Sequence, residues 1–270
     1  MTGSRPQLRL HPGCSPENQR RIQALLQDGW LLTDTPDAQS ALWLDCDTHG
    51  LRLSATPTAG QRRGPVLALD FTQGRQAHRL RQTSHSHEPL LRALGRLPTD
   101  SLLLDASAGL GRDSLTLAAR GHRVWACERH PVVAAVLADA LQRAATDPTL
   151  AAWISRINLY SGAVGQLPPP PAPFAGIIFD PMFPSRRKSA AVHQEMWLLQ
   201  QLFAAEPDAD APATLAYLHT LTSGRIVVKR PVHAPPLAGI APSGSLTGSR
   251  IRLDIYRGHR NNPDPILPAP

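Results

Sequence analysis

Leu102-Leu-Leu-Asp-Ala-Ser-Ala-Gly-Leu-Gly111 is the stretch whose reading decides the fold. Three leucines closing on an acid predict a buried strand ending at Asp105. The small residues after it make a tight turn, and a helix follows from about Arg112 to Ala119, ended by Gly121. Gly109 and Gly111 let backbone approach a ligand closely, and the free N–H groups of a helix start suit an anionic group. Arg123-Val-Trp-Ala-Cys-Glu128 predicts the next strand, and Pro131 opens a second helix as a first-turn proline. Val133, Val136, Leu137, Ala140 and Leu141 share one face of that helix. Glu128, at the strand's end, is placed to accept both hydroxyls of a ribose. The same residues also describe a plain βα turn followed by a strand-end acid. A dinucleotide fingerprint wants a third glycine where Ser114 stands, which argues against a nicotinamide cofactor.

Downstream, Ile157 to Tyr160 reads as a strand running into Tyr160-Ser-Gly-Ala163, small residues past which an adenine could lie or which form an ordinary turn. Residues 168–173 are proline-rich and predict a surface loop. Gly176-Ile-Ile-Phe179 predicts another buried strand, closing on Asp180-Pro-Met-Phe-Pro184. Its prolines keep the backbone extended, so a carboxylate and a ring stand at a strand's carboxyl end, the edge where open α/β sheets bind ligands. This chemistry suits methyl transfer to the exocyclic amine of a base. The amine's lone pair is delocalised, and a carboxylate accepting its N–H bonds would localise it. Phe183 would stack on the base, or the segment is an Asp-Pro turn with Phe183 packed inside. Arg112 and Asp113 could touch the methionine end or ribose of a cofactor, and Arg129 could lie along its adenosine. Ser185-Arg186-Arg187-Lys188 follows the loop at once; cations at a helix start oppose its dipole, which favours phosphate contacts. Lys229 and Arg230 extend that patch.

Helical spacing covers Val192 to Phe203 and residues 213–221, and Arg225 to Lys229 is a strand stopped by Pro231. The strands predicted at Ser243 to Thr247 and Arg250 to Tyr256 are too close for a helical crossover. The expected fold is therefore α/β: a Rossmann-like, mostly parallel sheet with an antiparallel edge. Upstream, residues 1–14 read as a loose start, Glu17 to Leu26 as a helix, and the runs from Leu42, Leu51 and Val66 as short strands. This predicts a small α+β lobe over 1–75, a basic linker and helix over 76–100, the core over 101–260 and a disordered tail over 261–270. Arg75, Arg79 and Arg81 form either a phosphate-contacting patch or a solvated face, and His85 and His87 lack further metal ligands.

At 270 residues with 42% apolar and 18% charged residues, the chain can bury a substantial core. A net charge of +7 and a pI near 10.1 favour an acidic partner such as nucleic acid. Cys14, Cys46 and Cys127 are widely spaced, so neither a metal site nor a disulfide is expected. That points to a reducing compartment. No signal peptide or spanning apolar run is evident, so a soluble cytoplasmic protein is expected.

Asp105-Ala-Ser-Ala-Gly-Leu-Gly-Arg-Asp113, Glu128-Arg-His-Pro-Val-Val133 and Asp180-Pro-Met-Phe-Pro184 resemble the small-subunit ribosomal RNA methyltransferase J family. Lys188-Ser-Ala, Val227-Val-Lys-Arg-Pro231 and Asp254-Ile-Tyr256 do so too, as do Asp70-Phe71 and Ala77-His-Arg79. The resemblance is dense from about residue 66 to 257. It implies a class I fold using S-adenosylmethionine, with a seven-stranded sheet, that methylates a guanine N2 amine in 16S rRNA of the small ribosomal subunit. It further implies cofactor contacts at Arg112, Asp113, Glu128, Arg129 and Asp180, and near Gly162-Ala163, where the family has small hydroxyl residues instead. The expected catalytic residues are Asp180, Pro181 and Phe183. Other readings of the same residues are a DNA adenine-N6 methyltransferase and a non-catalytic RNA-binding protein on this fold.

Overall fold

The computed structural model describes residues 5–33, 41–57, 63–72, 88–181, 193–203 and 209–259. The Cα trace divides into two compact units. One gathers residues 1–71, 130–144 and 183–207; the other gathers 72–129, 145–182 and 208–270. The predicted tail at 261–270 lies outside the described residues.

The second unit holds a seven-stranded sheet. Its strands are β5 (Leu102–Asp105), β6 (Arg123–Glu128), β7 (Ile157–Ser161), β8 (Phe174–Phe179), β9 (Thr222–Pro231), β10 (Gly244–Thr247) and β11 (Ile251–Arg257). Their spatial order is β10-β11-β9-β8-β5-β6-β7. β5, β6, β7, β8 and β9 pair in parallel, while β11 runs antiparallel to both β9 and β10. The reversed strand thus lies just inside the edge. Alternation explains the unbroken apolar runs. Leu104, Ile177, Ile226 and Val228 enter one core cluster, and Leu103, Ile178 and Val227 enter the cluster on the other face. A strand buried on both faces has no polar side to show.

Helix α2 (Pro89–Leu94) covers the second of these faces with Leu90, Leu91 and Leu94. Gly176 makes room for it, because a Cβ there would lie 2.9 Å from Leu94 Cδ2. Helix α3 (Arg112–Ala119) starts at Gly111, whose φ of 71° is left-handed and favours glycine. Helix α5 (Pro148–Ile154) goes beyond the elements the sequence predicts. Asp147 caps it, accepting from the N–H groups of Thr149 at 2.8 Å and Leu150 at 3.2 Å. Helix α7 (Ala211–Leu221) precedes β9.

The first unit carries a four-stranded sheet in the order β1-β2-β3-β4, with β1 (Gln7–Leu10), β2 (Leu42–Asp47), β3 (Gly50–Ala55) and β4 (Val66–Ala68). The expected loose start is corrected: Gln7 to Leu10 pair in parallel with Trp43 to Cys46. The cysteine expectation is corrected as well. Cys14 and Cys46 form a disulfide, their Cα atoms 5.4 Å apart, because the loop after β1 returns beside β2. Helices α1 (Pro16–Gln27), α4 (Pro131–Ala144) and α6 (His193–Leu202) belong to this unit. Buried Asp139 of α4 accepts from Asn18 Nδ2 at 2.7 Å, the Leu51 N–H at 3.0 Å and Arg143 Nε at 2.9 Å. The helix following β6 is therefore fastened to strands of the N-terminal sheet. Among the described residues, no helix is long and apolar enough to cross a membrane.

Candidate active site

Chain order reverses in the sheet between β5 and β8, so Asp105 and Asp180 close the two strands that flank the switch point. Such a crevice is where open α/β sheets take ligands. Asp105 is 2% exposed. Its Oδ2 accepts from Ser114 Oγ at 2.6 Å and its Oδ1 from the Ser107 N–H at 3.3 Å. Burial, reinforced by neighbouring Asp113, pushes its pKa up to about 7, against the opposing pull of Ser114 and Lys229. Ser114 is 1% exposed, so the residue in place of a third glycine is a buried hydroxyl that holds the strand-end acid.

The turn after β5 is tied to its neighbours through backbone. The Ala106 N–H donates to Ile178 O at 2.9 Å, and the Ala108 N–H to Cys127 O at 2.7 Å. Gly109, at φ 51°, donates its N–H to Glu128 Oε2 at 2.8 Å. The space over Gly109 is open: an added Cβ would meet only Ser107 O, at 3.9 Å. A glycine cradle beside a held carboxylate suits a nucleoside with vicinal hydroxyls. Asp105, Gly109, Gly111, Asp113 and Glu128 are thereby gathered along one edge of the sheet, with Arg112 exposed at the start of α3. Arg129 reaches Asp210, the residue before α7, at 3.0 Å. Gly162 donates its N–H to Glu128 O at 2.8 Å, and Ala163 opens the short turn after β7. A Cβ at 162 would lie 2.7 Å from the Tyr160 ring, so a side chain there would require the ring to shift.

At the end of β8 the Asp180 N–H donates to Ser107 Oγ at 2.6 Å. Its side chain is 48% exposed, with Oδ2 3.3 Å from Lys229 Nζ, and Pro181 beside it is buried. Ser107 thus joins the turn after β5 to the Asp-Pro loop, a contact that a small residue between Asp105 and Gly109 does not announce in sequence. Lys229 and Arg230 have partners other than those expected of surface cations. Lys229 pairs with Asp113 and Asp180, while Arg230 is 6% exposed and donates to Pro235 O at 2.6 Å. Phe183, Arg186, Arg187 and Lys188 lie outside the described residues, as do Arg75, Arg79, Arg81, His85 and His87. Among the described residues no group of three or more His, Cys, Asp or Glu could hold a metal ion.

The strand order, the reversed β11 and the acids at the ends of β5, β6 and β8 define a Rossmann-like class I methyltransferase using S-adenosylmethionine. A family model described as "Putative SAM-dependent methyltransferase" matches residues 25–258. A ribosomal RNA small subunit methyltransferase J from Thioalkalivibrio sulfidiphilus is 40% identical over 250 residues, covering 90% of this chain and 94% of its own. The protein of the same name from Alkalilimnicola ehrlichii is 42% identical over 234 residues, covering 84% and 86%. A solved SAM-dependent methyltransferase from Neisseria gonorrhoeae superposes with a TM-score of 0.68 at 25% identity, covering 98% of this chain and all of that one. The chain belongs to the ribosomal RNA small subunit methyltransferase J family.

Proposed function

We propose that this enzyme methylates the exocyclic N2 amine of a guanine in 16S rRNA. The observation that carries the reading is Asp180: its backbone is clamped to the cofactor turn by Ser107, while its carboxylate stays half-exposed at the switch point. The name borne by the relatives, a small-subunit ribosomal RNA methyltransferase, supports the acceptor. So does a net charge of +7.

Bound S-adenosylmethionine supplies an electrophilic methyl group on a positively charged sulfur. In this reading Glu128 holds the ribose, the N-terminal end of α3 with Arg112 and Asp113 receives the methionine portion, and Arg129 with Gly162 and Ala163 flanks the adenosine. Asp180 accepts the N–H bonds of the amine, localises its lone pair and takes up developing positive charge. Pro181 keeps the loop extended. Phe183 stacks on the base, and Arg186, Arg187 and Lys188 hold the flanking phosphates; these assignments rest on sequence. A ribosomal RNA acceptor places the enzyme in the cytoplasm.

The test is transfer of a labelled methyl group to small ribosomal subunits from cells lacking this protein, to free 16S rRNA and to duplex DNA. Label recovered as N2-methylguanosine is the expected result; label on DNA adenine, or on no acceptor, overturns it. Asp180→Ala should lower turnover by about 10³-fold, with cofactor affinity by calorimetry changed only a few-fold. Near-normal turnover in that variant removes Asp180 from the chemistry.

A further inference from the structure

Lys229, expected to extend the phosphate-contacting patch, is paired with two acids. Val228 is opposite Phe179 in the β8–β9 pairing, so the next residue of each strand, Lys229 and Asp180, project side by side at the carboxyl edge. Its side chain is 19% exposed, against 48% for Asp180, so the ammonium lies on the inner side of the carboxylate. A second contact ties the ammonium to Asp113 of α3. Charged groups facing the pair are Asp113 from α3 and Asp105 from β5. This ammonium bridges the cofactor-side acid and the acid of the Asp-Pro loop.

We propose that Lys229 is a positioning residue for methyl transfer, holding one oxygen of Asp180 so that the other is aimed at the amine. This rests on the reading of Asp180 given above. In the transfer the guanine nitrogen forms its new C–N bond as the donor's S–C bond breaks. The bonding pair stays on sulfur, and the nitrogen's proton passes to Asp180 and then to water. The ammonium keeps the carboxylate ionised before the step and favours release of the proton after it. Burial opposes the charged form of Lys229, but Asp113 and Asp180 outweigh it, so its pKa is raised and the cation persists across the working pH range.

The test compares Lys229→Met, Lys229→Gln and Lys229→Arg with wild type on 16S rRNA, reading kcat, cofactor affinity and the pH profile. Met and Gln should lower kcat by about 10²-fold while cofactor Kd moves less than about 3-fold. The acid limb should shift upward by about one pH unit, since Asp180 then loses the ammonium 3.3 Å away that favours its ionised form. Lys229→Arg should recover most of the rate. Gln retains a polar contact to Asp113, so it keeps the comparison readable should Met fail to fold. Turnover near wild type with an unmoved acid limb, or a loss expressed wholly as weaker cofactor binding, overturns the inference alone. A wild type that transfers nothing to rRNA overturns the functional reading, and this inference with it.

Discussion

Asp139 of the first unit and Asp105 of the second are alike in type and burial, at 3% and 2% exposure, and unlike in company. Asp139 receives two neutral donors and the Arg143 guanidinium, whose other end donates to Leu69 O at 2.7 Å. Asp105 receives Ser114 and the Ser107 N–H, has no guanidinium in the same role among the described residues, and faces Asp113. A buried carboxylate with a cation in contact is a joint: it fastens α1, α4 and β3 together. One supported mainly by neutral donors beside another acid is a reservoir of strain, its pKa lifted to about 7. That strain sits at the cofactor edge, and the joint sits in the lobe.

The contrast can be broken most sharply at Asp105. Its folded-state pKa is raised from 3.8 to about 7, so between those values the folded state holds more protons than the unfolded one. Stability from this group is present in acid and is lost as pH rises through about 7, by up to about 4 kcal/mol. Asp105→Asn should flatten that decline in urea unfolding measured from pH 4 to pH 8; an unchanged slope would place the titration elsewhere. Next in size, Asp139→Leu strands Asn18, the Leu51 N–H and Arg143. It should cost about 3 kcal/mol, seen as a lower denaturant midpoint at constant m. A loss below 1 kcal/mol would mean that the donors find water. Smallest, Ser114→Ala removes a donor to Asp105 and should cost about 1 kcal/mol at pH 8 and less at pH 5, where the acid holds its own proton. Equal losses at both pH values would deny the hydroxyl its role toward the charged form.

Much of the core could be read from residues alone. The runs Leu102 to Leu104 and Gly176 to Phe179 are unbroken because both faces of the sheet are covered, and each closes on an acid that the structure places at the switch point. What escaped reading depends on partners distant in the chain. Gln7 to Leu10 buries little side chain of its own beyond Gln7 and Leu8, and is a strand only because residues 43–46 pair with it. The seven residues of α5 are too few for a helical period, though Asp147-Pro148 carried the cap signal. Cysteine spacing cannot reveal that the segment after β1 turns back to bring Cys14 against Cys46. Ser114 illustrates the subtler failure. In sequence it reads as a missing glycine, whereas its hydroxyl supplies what the neighbouring carboxylate needs.

The first unit draws its chain from residues 1–71, 130–144 and 183–207, which has a consequence for how the protein is made. A domain emerging from the ribosome ordinarily folds in the order in which it is synthesised. Here the N-terminal strands can pair with one another as they leave the exit tunnel, but the helices of their unit at 131–144 and 193–202 come later. The Leu51 N–H meets no Asp139 until the helix bearing it has been translated, and the last piece follows some way behind. At a synthesis rate of roughly 5–20 residues per second, the early strands stand uncovered for on the order of ten seconds. An enzyme of this design spends its first moments with a complete four-stranded sheet whose covering helices are still to be made.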